Sequence, residues 1–156
     1  MVPQVRRFPE LIACLYAWHY RIIFLVRQNL LEACISASVR SKTGIAHSRD
    51  SAEIEPMEVG AVQLLRDVKK RRRHLKAVES ILRTYPHPWI KVEYEAVRND
   101  PQNECDRIFR FLRVQPGVKV DSNIKKIVVG RYDALLTNYC DIHRTFIENG
   151  LEEYLP

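Results

Sequence analysis

Glycine is scarce in this sequence and widely spaced. The five glycines are Gly44, Gly60, Gly117, Gly130 and Gly150, and no two of them lie within one turn of chain. A loop that surrounds nucleotide phosphates with backbone N–H groups needs closely spaced glycines, as in the patterns GxxxxGKS and GxxxxGKT. Neither pattern occurs in the 156 residues. The sequence as given therefore excludes a glycine-rich phosphate loop.

Cysteine pairs and long apolar runs are also missing. The four cysteines, Cys14, Cys34, Cys105 and Cys140, lie far apart and form no CxxC pair, so we expect free thiols and no zinc or other metal site. No run of about 18 apolar residues occurs, which predicts no membrane span. The first ten residues also lack the apolar segment of a signal peptide. We expect a cytoplasmic protein if the chain is complete as given.

Positive charge is in excess. The net charge is +6 and the isoelectric point is near 9.3, which favours a phosphate-bearing or polyanionic partner. With 46% hydrophobic residues, the chain can form one compact core. We predict a single domain over residues 1–156.

The stretch RIIFLVRQNLLEACIS predicts a strand followed directly by a helix. Ile22–Val26 is apolar throughout, as in a parallel strand that helices cover on both faces. Asn29 followed by Glu32 is typical of a capping box. The helix should run to Thr43, where Gly44 offers a left-handed C-cap.

The remaining pattern predicts an α/β fold. Ile90–Val97 alternates apolar and polar residues, so it is a second predicted strand. Asp100 before Pro101 marks a helix start, and Cys105, Ile108, Phe109 and Leu112 should be the buried side of that helix. Strands separated by helices favour a parallel sheet. The other predicted helices are Phe8–Tyr20, Met57–Arg83, Ser122–Val129 and Asp133–Asn149, and Ile45–Pro56 is a predicted polar loop.

Arg27 lies where ligands of open parallel sheets bind, beyond the carboxyl end of a strand. A guanidinium can donate two hydrogen bonds to one phosphate, and the N-terminus of the following helix favours an anion. Ser36 and Arg40 stand one turn apart on that helix and could contact the same anion. The alternative is that Arg27 forms a surface ion pair and that Ser36 bonds back to its own helix. Both interpretations stay open.

Three segments, taken in order and spacing, resemble a known family. They are RIIFLVRQNLLEACIS, then VEYEAVRNDPQNECDRIFRFLRV, and finally the Asn138–Tyr139 pair in LLTNYCDIHRTF. They are similar to sulfotransferases that use 3′-phosphoadenylyl sulfate, above all the nodulation-type and lipopolysaccharide-type carbohydrate sulfotransferases. The similarity spans residues 20–154.

The resemblance implies a sheet like that of the P-loop NTPases and a set of site residues. Arg27 and Ser36 would bind the 3′-phosphate of the donor, and Tyr94 would contact the nucleotide. Glu95 would fix backbone N–H groups. The implied acceptor is a carbohydrate or small hydroxylated molecule, and adenosine 3′,5′-bisphosphate is the product. Gln28 is a departure, since nodulation-type relatives often have a second basic residue there. The spacing is another departure, since nine positions separate Arg27 from Ser36 and many cytosolic sulfotransferases have eight.

The family's loop for the 5′-phosphosulfate lies before its first helix, and this sequence lacks it. We therefore expect the sequence to begin inside the family's domain, with a sheet incomplete on its amino-terminal side. We expect the 156-residue chain to transfer sulfate poorly or not at all. The catalytic base is not assigned, and the candidates are His19 and His47. The alternatives are a structural or surface role for His19 and a solvated position in a loop for His47.

Two other functions stay open. KKRRRHLK (Lys69–Lys76) could bind nucleic acid or another polyanion, or it could be the solvated side of a long helix. No aromatic residue interleaves this run, which counts against recognition of bases. The chain could also be a non-catalytic interaction module, and exposed apolar edges would then favour self-association.

Overall fold

The computed structural model describes residues 9–44, 55–120 and 132–155. In these ranges the chain is a mixed α/β protein with a small parallel sheet and mostly helices, which confirms the predicted α/β class. The elements are α1 (Pro9–Ala17), β1 (Ile22–Val26), α2 (Leu30–Thr43), α3 (Ala61–Arg83), β2 (Trp89–Glu93), α4 (Tyr94–Asn99), α5 (Pro101–Leu112), α6 (Tyr132–Leu135), α7 (Tyr139–Glu148) and a short 3-10 helix (Glu152–Tyr154).

The chain divides into two compact units. The first unit comprises residues 1–28 and 72–120, and the second comprises residues 29–71 and 121–156. Helix α3 contributes residues to both. His47 and the predicted helix Ser122–Val129 lie outside the described residues, as does Phe8.

The sheet of the first unit pairs β1 with β2 in parallel, from Ile22 opposite Trp89 to Val26 opposite Glu93. The predicted parallel pairing is therefore confirmed. The prediction that β1 is covered on both faces is wrong, because Leu25 is 59% exposed while Phe24 and Val26 are buried. In the described ranges the sheet has two strands, and helices do not cover its second face at Leu25.

The core of the first unit forms where β1 meets the second half of α3. Phe24 and Val26 cluster with Leu82, and Leu75 and Val78 of the same helix pack against them. Fully burying such a side chain stabilises a fold by about 1.5–3 kcal/mol. The apolar stripe of α3 is thus what holds the sheet in place. The stripe of α5 is less buried than expected, since its Leu112 is exposed and its other members are half-buried.

The second strand is shorter than predicted. It ends at Glu93, and Tyr94 begins α4, so the prediction of a strand to Val97 is wrong. Strand β1 ends at Val26, opposite Glu93, and offers no backbone partner beyond that point. The chain then satisfies its own backbone groups in a helix, whose last bond runs from the Asp100 N–H to the Ala96 carbonyl.

Local helix signals are confirmed. The Asn29 side chain accepts from the Glu32 N–H at 2.9 Å, and Gly44 has φ 72° at the C-cap of α2. Asp100 accepts from the Asn103 N–H at 3.1 Å, with Pro101 as the first residue of α5.

In the second unit, two predicted helices are interrupted by long-range pairing. Helix α3 begins at Ala61 rather than Met57, because Met57 forms a parallel bridge with Leu136. The predicted helix Asp133–Asn149 is split at the same bridge into α6 and α7. The Asn138 amide accepts from the Val59 N–H at 3.2 Å and donates to the Val59 carbonyl at 2.9 Å. These bonds replace the helical bonds that both segments would otherwise form.

The second unit also contains a densely buried apolar core. Its largest side chains with almost no exposure come from α2, the first half of α3, and the segments around α7: Leu31, Ile35, Val39, Leu64, Val68, Leu136, Ile142 and Phe146. Among the residues that the structure describes, no helix is both long and apolar enough to cross a lipid bilayer.

Candidate functional site

Arg27 and Tyr94 meet at the carboxyl ends of the paired strands. Val26 and Glu93 are opposite each other, so the next residue of each chain segment leaves the sheet at the same edge. The Arg27 guanidinium carbon lies 4.8 Å from the centroid of the Tyr94 ring. A cation held over an aromatic face in this way is attracted by the ring electrons, and the contact fixes the plane of the guanidinium.

The Arg27 side chain is partly shielded from solvent. The side chain is half-buried, and its Nε and Nη2 atoms are shielded from solvent. Charge interactions are stronger away from bulk water. An anion that reached this guanidinium would therefore interact with it more strongly than with an exposed arginine.

Glu95 joins the two strand ends. The Gln28 backbone N–H donates to both carboxylate oxygens of Glu95, at 3.1 and 3.2 Å. A carboxylate that accepts a backbone N–H makes a charge-assisted bond, which is stronger than a neutral one. The contact of Glu95 with a backbone N–H, which the family resemblance implied, is confirmed. It fixes the chain directly after Arg27.

Ser36 and Arg40 belong to the second unit, where both lie on α2. They are four residues apart and share a face of that helix, as predicted. Ser36 is half-buried and Arg40 is exposed. The Arg40 carbonyl accepts the Gly44 N–H at 2.9 Å and so belongs to the C-cap of the helix.

His19 lies at the opposite end of β1 from Arg27. Helix α1 ends at Ala17, not at Tyr20 as predicted, and His19 follows it with φ 54°. Five residues of strand, at about 3.3 Å each, separate the two ends of β1. His19 instead contacts His87, which precedes β2.

Two side chains of the first unit, Tyr85 and Arg21, anchor the chain through contacts that the sequence does not indicate. The Tyr85 hydroxyl lies 2.8 Å from the carbonyl oxygens of both Leu15 and Tyr20, and burial raises the pKa of this phenol. The Arg21 guanidinium donates to the Phe111 carbonyl and lies 5.4 Å from the centroid of the Phe111 ring. The partners of each residue are far away in sequence, so no local pattern marks these contacts.

The second unit contains a buried thiol beside charged groups of α3. Burial raises the pKa of Cys34, and the nearby Arg71 guanidinium opposes that shift. The Cys34 side chain has almost no exposed surface. All four cysteines are free thiols in the structure, but the expected burial holds only for Cys34, since Cys105 is half-buried and Cys140 is exposed.

The basic run of α3 is largely in solvent. Its exposed members are Lys69, Lys70, Arg71, Arg73 and Lys76, while Arg72 and His74 are half-buried. Lys69 donates to the Asn149 side-chain oxygen at 2.8 Å. The exposure agrees with a solvated face, and it also leaves these charges accessible to a polyanion.

No family model, curated protein or solved structure matches this chain.

Proposed function

We propose that the carboxyl ends of β1 and β2 bind the nucleotide of 3′-phosphoadenylyl sulfate. The reaction would be sulfuryl transfer to a hydroxyl group of a carbohydrate or another small acceptor, and we expect the 156-residue chain by itself to carry it out poorly or not at all. The main support is the position of Arg27 over the Tyr94 ring, directly beyond two parallel strands that end at the same level.

The chemistry of the site agrees with a phosphate ligand. Arginine is the side chain best suited to a phosphate monoester, because its fork matches two of the phosphate oxygens. Tyr94 fixes the guanidinium plane, and Glu95 fixes the backbone at Gln28. The family resemblance also assigns Ser36 to the 3′-phosphate, and helical spacing makes Arg40 a further candidate; both assignments stay predictions.

In sulfuryl transfer the acceptor oxygen forms a bond to sulfur while the bond from sulfur to the 5′-phosphate oxygen breaks. Adenosine 3′,5′-bisphosphate leaves with the bonding electrons, and a base takes the acceptor proton. Arg27 would contribute by holding the 3′-phosphate, remote from the bonds that change. The base is not assigned to a residue.

The test is titration with adenosine 3′,5′-bisphosphate by calorimetry. Since a hydrogen bond to a charged group is worth about 1.5–3 kcal/mol, Arg27→Ala should weaken binding by roughly 10- to 100-fold. Adenosine 5′-monophosphate should bind weakly to both proteins, because it lacks the 3′-phosphate. Arg98→Ala is the matched control, since Arg98 is an exposed arginine on α4 of the same unit. Equal affinity of the native chain and Arg27→Ala would contradict the proposal.

Polyanion binding through Lys69–Lys76 is the second candidate, and the exposure of its charges favours it. Binding of this kind releases counterions, so the affinity for a DNA or heparin probe should fall steeply with salt. A Lys70→Gln, Arg73→Gln double variant should reduce the slope of log affinity against log salt by about 2, because two contacts are removed. An unchanged slope would exclude this function for the run.

A further inference from the structure

Two histidines meet at the amino end of the sheet in the first unit. The Nδ1 atoms of His19 and His87 are 3.3 Å apart, although the residues are separated by 68 positions in sequence. Their ring centroids are 4.2 Å apart and the planes are inclined by 56°. This pair lies at the opposite end of β1 from Arg27, so a ligand of the two histidines would be independent of the proposed nucleotide site.

The proton of the His87 ring can be placed from its other contact. His87 Nε2 lies 2.9 Å from the Tyr16 carbonyl oxygen, which can only accept a hydrogen bond. Nε2 therefore carries the proton, and Nδ1 of neutral His87 presents a lone pair towards His19. A backbone carbonyl bound to the remote ring N–H is the usual support of an imidazole that binds a metal ion.

Aromatic neighbours keep the His87 ring in this orientation. The Tyr85 ring packs edge-on against it, with centroids 5.2 Å apart and planes at 82°. Tyr85 itself is fixed by the Leu15 and Tyr20 carbonyls. The ring that presents the lone pair is thus positioned by packing on one side and by a hydrogen bond on another.

His19 is placed by an uncommon backbone conformation. Its φ of 54° falls in the left-handed region, which histidine adopts more readily than most residues. The left-handed residue ends helix α1 and sets the His19 ring beside His87. The side chain is exposed, so a solvent ion can reach it.

We propose that His19 and His87 bind one divalent transition-metal ion of the zinc type through their Nδ1 atoms. Two nitrogens, each about 2.0–2.1 Å from a tetrahedral zinc ion, lie about 3.3–3.4 Å apart, which matches the observed separation. A rotation of the exposed His19 ring directs its lone pair to the shared ion. The His19 proton then resides on Nε2, so both imidazoles are neutral.

Water molecules complete the coordination. In the described part of the chain, no group of three or more His, Cys, Asp or Glu side chains could hold a metal ion, so this is a site with two protein ligands. Such a site exchanges its ion with solvent and leaves positions open. This two-histidine site departs from the expectation of no metal site, which rests on the wide spacing of the cysteines and does not consider a pair of histidines 68 positions apart.

A direct hydrogen bond between the two rings is the competing explanation. The distance of 3.3 Å is slightly beyond the usual 2.7–3.2 Å range of protein hydrogen bonds from nitrogen, and the pair would then have no special affinity for metal. Metal titration separates the two explanations.

The experiment titrates the full chain, free of any affinity tag, with Zn²⁺ by calorimetry and with Cu²⁺ by electron paramagnetic resonance. We expect one Zn²⁺ per chain at the pair, a Zn²⁺-dependent rise in the melting temperature, and nitrogen splitting from two imidazoles on Cu²⁺. His19→Asn, which tolerates the left-handed backbone, and His87→Gln should each lower the Zn²⁺ affinity at least tenfold. His143→Gln is the matched control, because His143 is an exposed histidine on α7 of the second unit, and it should bind as the native chain does.

Zn²⁺ affinity that is the same in His19→Asn as in the native chain would overturn the proposal, as would an absence of binding to the native chain at millimolar Zn²⁺. Far-ultraviolet circular dichroism without metal checks the fold of each variant. If His87→Gln does not fold, the exposed His19 position decides the question alone.

Discussion

In the first unit, polar and aromatic side chains occupy both ends of a two-stranded sheet, whereas in the second unit the notable side chains are apolar and buried. Arg27, Tyr94 and Glu95 meet at the carboxyl ends of the strands, and His19 and His87 meet at the amino ends. In the second unit, the nearly inaccessible residues are aliphatic and aromatic side chains from several helices, together with the Cys34 thiol. The first unit thus holds the observed contacts between charged and aromatic groups at the strand ends, and the second unit holds most of the nearly inaccessible apolar side chains.

This contrast predicts different consequences of mutation. Truncation of a side chain in the second unit should reduce the free energy of unfolding and leave ligand contacts of the first unit unaltered. Substitutions at the strand ends of the first unit should change binding more than stability, because those residues are half-buried or exposed.

The largest expected effect is at Phe146 in α7, which has no solvent-exposed surface. Phe146→Ala should lower the free energy of unfolding by about 3–5 kcal/mol, because the lost contacts leave a cavity. Denaturant titration measures it. Ile147→Ala is the matched control: Ile147 is the next residue of the same helix and is 51% exposed, so its truncation should cost about 0.5 kcal/mol or less. Equal losses at the two positions would show that the second unit is not packed as described.

A smaller loss is expected for Tyr85→Phe in the first unit. The single hydroxyl proton, which is shared between the Leu15 and Tyr20 carbonyls, would no longer be donated, and this should reduce the free energy of unfolding by about 1–3 kcal/mol. Burial, and secondarily the neighbouring Tyr16, raise the Tyr85 pKa above its ordinary value of 10.0.

The raised pKa of Tyr85 also predicts the direction in which the free energy of unfolding changes with pH. The folded state holds the phenol proton more tightly than the unfolded state, so this stabilisation is fully present below about pH 10 and is lost as the pH rises through the folded pKa. Denaturant titration of the native chain and Tyr85→Phe between pH 8 and pH 11 measures it. The difference in stability between the two should shrink above about pH 10. A constant difference would contradict the environment assigned to Tyr85.

The smallest expected effect is at Glu95. Glu95→Gln keeps an acceptor for the Gln28 N–H but removes the charge, so the bond should weaken by about 1 kcal/mol. Hydrogen exchange at the Gln28 amide should accelerate, and the affinity for adenosine 3′,5′-bisphosphate should fall by about fivefold if the contact positions Arg27. Faster exchange with unchanged affinity would assign Glu95 a structural role only.

The sequence allowed accurate prediction of features that a few neighbouring residues determine. Asn29 with Glu32, Gly44, and Asp100 with Pro101 mark helix ends correctly, because capping bonds connect residues three or four positions apart. The pairing of β1 with β2 was also predictable in kind, since apolar strands separated by helices favour a parallel sheet.

Features set by distant partners were not predictable in this way. The alternation in Ile90–Val97 continues past Glu93, but the strand does not, because β1 ends opposite that residue. Met57 and Leu136 likewise leave their predicted helices to pair with each other. The contact of His19 with His87 has no local signal, whereas Arg27 and Tyr94 each follow a recognisable strand.

The register of β1 and β2, in which both strands end at the same level, limits how this region can vary between related chains. Inserting or deleting one residue inside β1 would turn Phe24 and Val26 outwards, because successive side chains of a strand alternate between faces. It would also move Arg27 by about 3.3 Å along the strand direction, so that its guanidinium would no longer lie over the Tyr94 ring. Natural variation here should therefore consist of replacements of one side chain by another, with length changes confined to the connections on either side.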